Sequence, residues 1–429
     1  MRRASILLAV LLWTASAAGQ TDPGGSQADP AGAPTDPAGA RADPSGDPND
    51  WLRRDQLTGD WRGVRPFLSA RGFEPYLTYT GAMWSNFGGR ADGTEFIGYL
   101  DSGVELDLEK IAGWPGGGFH ADFHWYAGRQ PSVDLVGLPP AMAIDGWEAS
   151  NAFRVYNLYL HQELADRRLV VHVGQIAADT NFMTSHYAGL FVNAAFGDIP
   201  TENIDTDTPV YPLAAPGVYA HAKLSPSLDW KVGAYTANAG RDVAGNHGFE
   251  WKLGNQVGYG IYSELGVEPA PAGLPGRYVV GGYYIAADVP LLTGDGSRYG
   301  NYSVWVMADQ AVVVDGGGKP AVGIFARFSA CPQKDRNPAF LYADAGVNFV
   351  GPIPSRPTDV FGLAFGILKP SDAVPAPALL PEGQEVLELT YQAQLTPWLT
   401  VQPDAQFLPN PIFSDRDAFA IGLRAVAVF

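Results

Sequence analysis

The chain has 429 residues, 46% of them hydrophobic, so it has material for one large or two ordinary domains and none of the apolar deficit of a disordered protein. With 45 acidic against 28 basic side chains the net charge is -17, which repels a phosphate backbone and excludes nucleic acid as a partner. A single cysteine, Cys331, leaves no internal disulfide, and no Cys/His cluster has zinc spacing, so neither metal nor cofactor is expected.

Residues 1–18 read as a secretory signal: Arg2 and Arg3 precede an apolar stretch from Ile6 to Trp13, and small residues at Ala15, Ser16, Ala17 and Ala18 offer a cleavage site. The stretch is well below the ~20 residues of a spanning helix, and no comparable apolar run follows. Residues 19–50 are rich in Asp-Pro pairs, at Asp22, Asp29, Asp36 and Asp43 on a seven-residue spacing. Proline in each repeat and the lack of a large apolar residue rule out a coiled coil, so a disordered periplasmic linker is expected. Residues 51–72 place Trp61, Val64 and Leu68 on one helical face with Gly72 at a capping position, which predicts a short amphipathic helix at the periplasmic mouth, distorted by Pro66.

From Phe73 to Phe429 the dominant period is two. Leu387, Leu389, Tyr391, Ala393 and Leu395 alternate with Glu388, Thr390, Gln392 and Gln394, and after Pro397-Trp398 the apolar set Leu399, Val401, Ala405 and Phe407 alternates with Thr400, Gln402, Asp404 and Gln406. Strand side chains point to opposite sides in turn, so this is a hairpin with one oily and one polar face. About sixteen such segments are expected, near 73–84, 96–109, 117–129, 152–164, 168–177, 217–225, 228–237, 254–267, 276–288, 300–313, 319–330, 339–350, 358–368, 384–396, 398–408 and 417–429. Each is roughly the length of a tilted spanning strand, and the oily faces lack charges, which would cost about 2–4 kcal/mol at a bilayer midplane. In 152–164 Arg154 falls in phase with Leu158 and Leu160, leaving the register of that segment open. Connections after even-numbered segments are short and those after odd-numbered ones longer, the longest running from about 178 to 216. That asymmetry belongs to outer-membrane barrels with periplasmic turns and outer loops.

The expected fold is therefore all-β, a transmembrane antiparallel barrel in the outer membrane of a Gram-negative bacterium, with its N-terminal tail in the periplasm, lipid outside and a wet lumen inside. The terminal Phe429 closes an in-phase apolar set from Phe419, the pattern by which such barrels are recognised by the outer-membrane assembly machinery. Charged and amide side chains on the inner faces are the candidates for lining the pore and contacting solute: Asp101, Glu105, Asp122, Arg327, Asp344, Glu388, Gln392, Gln402, Asp404, Gln406 and Arg424, with Asp179 in the longest outer loop. His120 and His124 stand about 13 Å apart at roughly 3.4 Å per strand residue, too far to share one ion.

Several stretches resemble the carbohydrate-selective porins of the OprB type. They are Leu57-Thr58-Gly59-Asp60-Trp61, Val173-Gly174-Gln175, Ile324-Phe325-Ala326-Arg327, Tyr342-Ala343-Asp344-Ala345-Gly346, and the run from Glu388 to Trp398 leading into Gln402-Pro403-Asp404-Ala405-Gln406. Arg62 and Pro66 depart from that family's N-terminal motif. The resemblance implies a sixteen-stranded barrel passing glucose-like sugars by passive diffusion, narrowed by inward-folded loops. Such a barrel is compatible with association as a homo-oligomer. It supplies the solute class, which the periodicity does not.

No catalytic motif is present: there is no G-x-S-x-G, H-E-x-x-H, P-loop or post-strand G-x-G-x-x-G. An enzyme is not expected. The alternatives are a barrel hydrolase with a Ser/His pair assembled from separate strands, and a soluble secreted carbohydrate-binding β-protein.

Overall fold

The computed structural model describes residues 50–254, 256–374 and 383–429. The expected leader at 1–18, and the linker at 19–50 up to its last residue, lie outside the described residues. Sixteen antiparallel strands form one closed barrel in which each strand pairs with its neighbours in sequence and the first pairs with the last. They are β1 (Phe73–Gly88), β2 (Gly93–Asp107), β3 (Gly117–Gly128), β4 (Ala152–Leu164), β5 (Leu169–Ile176), β6 (Ala215–Ser225), β7 (Leu228–Thr236) and β8 (Tyr259–Val267), then β9 (Gly276–Pro290), β10 (Ser297–Val314), β11 (Pro320–Ala330), β12 (Ala339–Val350), β13 (Val360–Pro370), β14 (Gln384–Thr396), β15 (Leu399–Leu408) and β16 (Ala418–Val428). The closing ladder runs from Thr78↔Val428 to Gly88↔Ala418. Closure leaves no strand edge to meet hydrocarbon, where an unpaired backbone group would cost several kcal/mol. No helix among the described residues is long and apolar enough to cross a membrane.

Period-two alternation sorts the side chains as the sequence predicts. Phe96, Trp125, Val218, Val280, Val306, Ile324, Phe365, Leu389, Phe407 and Leu423 are exposed on the outer surface, while Asp122, Arg327, Asp344, Glu388, Gln402 and Gln406 are buried inside. A soluble protein does not present an apolar band of this extent to water.

In β4 the open register resolves into a bulge. Ala121 faces Leu158 but Phe123 faces Val155, so β4 carries one residue more than β3 across that interval. The extra residue reverses the phase: Arg154 and Tyr156 point inward and are buried, whereas Leu160 lies exposed outside. Asp122 accepts hydrogen bonds from both the backbone and the side-chain amide of Asn157, which satisfies the polar groups the bulge frees.

The N-terminal segment has a 3-10 turn at Asp50–Arg53 and a helix α1 (Val64–Ser69). Pro66 lies in the first turn of α1, where a missing N–H is not needed, so it is accommodated rather than distorting. The helix ends at Ala70, and Gly72, at φ 85, makes the bend into β1 instead of capping the helix. Leu57 N–H donates to Val428 O, the Arg65 guanidinium to Phe429 O, and the Trp398 indole to Trp51 O, so this segment straddles the seam where the barrel closes. A second short helix, α2 (Leu108–Ala112), fills the β2–β3 turn, its first turn capped by the Asp107 carboxylate accepting from Lys110 N–H.

Two outer loops turn into the barrel instead of standing above it. Residues 129–151, between β3 and β4, and 177–214, between β5 and β6, hydrogen-bond to each other through Ala194 N–H to Ala143 O at 2.8 Å and Gly146 N–H to Val192 O at 2.9 Å. The second contains a helix α3 (Pro200–Asp205). Val136, Leu138, Met142, Ile144, Phe182, Phe191, Phe196 and Ile199 pack with the inward rings of Trp84, Phe325 and Tyr342 as a dry core inside the barrel. Cys331 directly follows β11 and is buried, its sulfur 3.6 Å from the Tyr283 hydroxyl.

Candidate channel constriction

A loop held inside a barrel needs partners for its backbone, because amides taken out of water cost free energy unless paired. The inner wall supplies those partners from the polar side of each strand. Glu388 on β14 accepts from the N–H groups of Val192 and Asn193 at 2.6 and 2.9 Å. Gln402 donates to Leu190 O at 2.8 Å and to the Thr390 hydroxyl at 2.9 Å. Gln406 donates to Ile144 O and accepts from the Asn193 amide, both at 2.8 Å, so it joins the two loops. Asp404 lies beside it, accepting from Gln406 at 3.0 Å.

Arg327 and Asp344 form a buried ion pair across β11 and β12. The guanidinium also donates to Gly197 O at 2.6 Å and Ala195 O at 2.9 Å, and the Tyr342 hydroxyl lies 2.7 Å from Ala195 O and 2.8 Å from Asp344. Removing one member of such a pair strands a buried charge, at roughly 3–5 kcal/mol. Arg424 pairs with Asp145 of the other loop, and the Trp84 indole donates to the same carboxylate at 3.1 Å.

The remaining sequence candidates lie apart from these anchors. Asp101, Glu105 and Asp122 form a network in the β2–β3 wall: His120 bridges Glu105 and Asp122, and His124 Nε2 lies 3.6 Å from Asp101. Asp179, at the root of the second loop, accepts from Tyr211 N–H at 3.1 Å and from the Tyr156 hydroxyl at 3.5 Å. Gln392 is half-buried on the inner face of β14. The structure thus gathers Arg327, Asp344, Glu388, Gln402, Asp404, Gln406 and Arg424 under the two loops, and does not bring Asp101, Glu105 or Asp122 to them.

Other loop anchors escaped the sequence reading. Asp309 on β10 accepts from the Ser185 hydroxyl at 2.6 Å and His186 N–H at 2.9 Å. Glu264 on β8 accepts from Met183 N–H at 2.6 Å and the Trp305 indole at 3.0 Å. Asn348 donates to Tyr187 O at 2.8 Å. Each sits out of phase with exposed Val306, Leu265 or Phe349 on its own strand, so alternation alone would have found them. Inside the second loop Glu202 accepts from the Tyr262 hydroxyl and from Thr208 at 3.1 Å, and burial pushes its carboxyl up to about 8. Nothing in local spacing marks that residue.

Two wall glycines let the loop lie flat. A Cβ at Gly323 would stand 2.0 Å from the Tyr187 ring, and one at Gly362 would stand 2.6 Å from Leu190. Chemically, the assembly is a barrel whose cross-section is reduced by polar-tethered loops, with the half-buried side chains of Tyr159, His172, His221 and Lys231 elsewhere on the inner wall.

Comparison with known proteins gives a consistent picture. Residues 96–429 match a family model described as carbohydrate-selective porin, OprB family. Porin B of Pseudomonas aeruginosa is 29% identical over 422 residues, covering 87% of this chain and 91% of that protein. A high-pH structure of Pseudomonas putida OprB superposes with a TM-score of 0.79 at 25% identity, covering 88% of this chain and 99% of that one. A low-pH structure of the same protein gives 0.58 at 19% identity over the same shares, a likeness of fold.

Proposed function

Because the chain belongs to the OprB family of carbohydrate-selective porins, we propose that it admits glucose-like sugars and other small polar solutes across the outer membrane of a Gram-negative bacterium by passive diffusion. The family match over residues 96–429 carries this reading. The closed wall supports it physically: the outer face suits hydrocarbon, the inner face carries carboxylates, guanidinium groups and amides, and nothing in a diffusion channel requires an energy source. Sugars are neutral, rich in hydroxyls and apolar on their ring faces, which suits a narrow lumen with paired charges and aromatic side chains.

The loop anchors take a specific part in this reading. Glu388, Arg327–Asp344, Gln402, Gln406 and Arg424 set the width of the passage by fixing the loops, while Asp179, Asp101, Glu105, Asp122 and Gln392 line the wall beside it as the candidates for contacting solute. The chain works without turnover, and barrels assemble as homo-oligomers through their apolar faces, with Phe429 read by the assembly machinery. Planar-bilayer recording of the purified protein tests the whole: sugars should reduce the ionic current in a concentration-dependent way, and proteoliposomes should swell in them. Turnover of ester or phospholipid substrates with no sugar permeation would instead favour a barrel hydrolase.

A further inference from the structure

The segment that staples the barrel's seam leaves most of its own apolar surface uncovered. Trp51, Leu52, Trp61, Val64 and Phe67 are exposed, and no residue of α1 is buried. The polar contacts of α1 lie on one side: the Arg65 guanidinium reaches Gly59 O, Pro75 O and Phe429 O, and the Ser69 hydroxyl meets the Glu74 carboxylate. At about 100° per helical residue, Val64 and Phe67 project away from Arg65 and Ser69, so the helix turns its apolar side from the barrel.

That surface continues along the rim on which the short turns lie. At one end Trp51 packs on Trp398 of the β14–β15 turn, with ring centroids 5.5 Å apart. At the other, Gly72 abuts α2, where an added Cβ would stand 2.7 Å from Asp107 O and 3.1 Å from Lys110 Cβ. No residue of α2 is buried, and Ile111 and the following Trp114 are exposed. Phe73, which opens the outward set of β1 that includes exposed Met83 and Phe87, joins this rim to the lipid-facing band.

Charge singles out the same segment. Residues 51–72 carry five arginines against two aspartates, in a chain whose net charge is -17. Arg53, Arg62 and Arg71 are exposed, and guanidinium groups lie over exposed rings, Arg65 over Trp61 at 4.2 Å and Arg71 over Phe67 at 3.5 Å.

We propose that this rim docks on the periplasmic leaflet of the outer membrane, with Trp61, Phe67 and Trp114 at the glycerol level and Arg53, Arg62 and Arg71 on the phosphates of anionic phospholipid. Aromatic rings favour the boundary between headgroup and acyl chain, and a guanidinium beside them reaches phosphate while its stem stays on apolar surface. Continuity with the lipid-facing band at Phe73 places the rim at that boundary, and its local positive charge matches an anionic leaflet. The inference goes beyond solute passage and holds whichever solute the barrel admits.

The test is nitroxide accessibility in the full chain folded into phosphatidylcholine vesicles with and without phosphatidylglycerol, each variant first checked for folding by its heat-dependent gel mobility. In a Cys331→Ala background, labels at Phe67→Cys and Ile111→Cys report the rim. Met83→Cys gives the lipid reference, and Gly316→Cys, in the β10–β11 turn with no atom near an added Cβ, gives the water reference. Both rim labels should collide with dissolved oxygen as the Met83 label does and be shielded from a water-soluble nickel chelate, the reverse of the Gly316 label. Phosphatidylglycerol should enlarge the immobilised spectral component, and Arg62→Gln or Arg71→Gln should each weaken that docking equilibrium about fivefold, the contribution of one basic side chain at an anionic surface. Rim labels open to the chelate would overturn the docking. Labels shielded from both reagents would overturn it too, because protein, a second copy or residues 19–50 of the same chain, would then cover the rim. Equal docking with and without phosphatidylglycerol would overturn the part given to the arginines.

Discussion

At the scale of single residues, a polar side chain on the inner wall of this barrel serves first to hold backbone. Gly323 shows how tight that fit is, since any Cβ there would meet the Tyr187 ring at 2.0 Å. Gly323→Ala should therefore lower the thermal midpoint in detergent, with a cost on the order of 1–3 kcal/mol for overpacking. Truncating the ring as well, in Gly323→Ala/Tyr187→Ala, should return part of the loss, and strict additivity of the two changes would show that the contact is not the cause. Glu202 gives a pH prediction. Its carboxyl is raised by burial from an ordinary 4.5 to about 8, so between those values the folded state holds a proton that the unfolded state has released. Stability must then fall as pH rises through that window and level off above about 8. Glu202→Gln keeps a neutral hydrogen-bonding group in place and should flatten this part of the stability-versus-pH curve, measured by thermal unfolding in detergent from pH 5 to 9.

Elements divide into those that alternation dictates and those that distant contacts dictate. Strands β4, β12 and β14 have the bounds that period two predicts, because a wall between oil and water leaves no freedom in which face is polar. The β4 bulge was not legible, since a one-residue phase shift depends on Asp122 of the neighbouring strand reaching Asn157. The inward path of the second loop was legible only as length. Its anchors include side chains from six strands, Glu264, Asp309, Arg327, Asn348, Glu388 and Gln402, and no local pattern in the loop records them. The wall's own ladder is continuous without the loop, so the loop should be removable. Replacing residues 183–206 by a short Gly/Ser link exposes those wall charges to water, which solvates them at little cost, and widens the lumen. Single-channel conductance should rise severalfold; an unchanged value would mean that the constriction lies elsewhere.

For the whole molecule, one property organises everything: the two sides of a continuous sheet face different solvents. The sequence records this as sixteen alternating segments, whereas ring closure through β1 and β16, stapled by Leu57 and Arg65 at Val428 and Phe429, could be argued only from the cost of a bare edge in lipid. The distinction between the sides can be measured with one charge moved by three residues along a single strand. Leu389 on β14 is 46% exposed to the outside, while Gln392 is half-buried facing the lumen. Leu389→Arg puts a guanidinium into hydrocarbon and should cost about 2–4 kcal/mol in folding free energy if it lies near the midplane, less towards either interface. Gln392→Lys adds the same unit of charge where water can reach it, so folding into vesicles should be nearly unaffected. Its effect belongs to permeation instead: a fixed positive charge in a narrow, poorly screened lumen repels cations, and the reversal potential in a salt gradient should move towards anion preference. If the two variants were equally destabilised, or if Leu389→Arg altered ion preference and Gln392→Lys did not, the assignment of inner and outer faces would be wrong, and with it the channel.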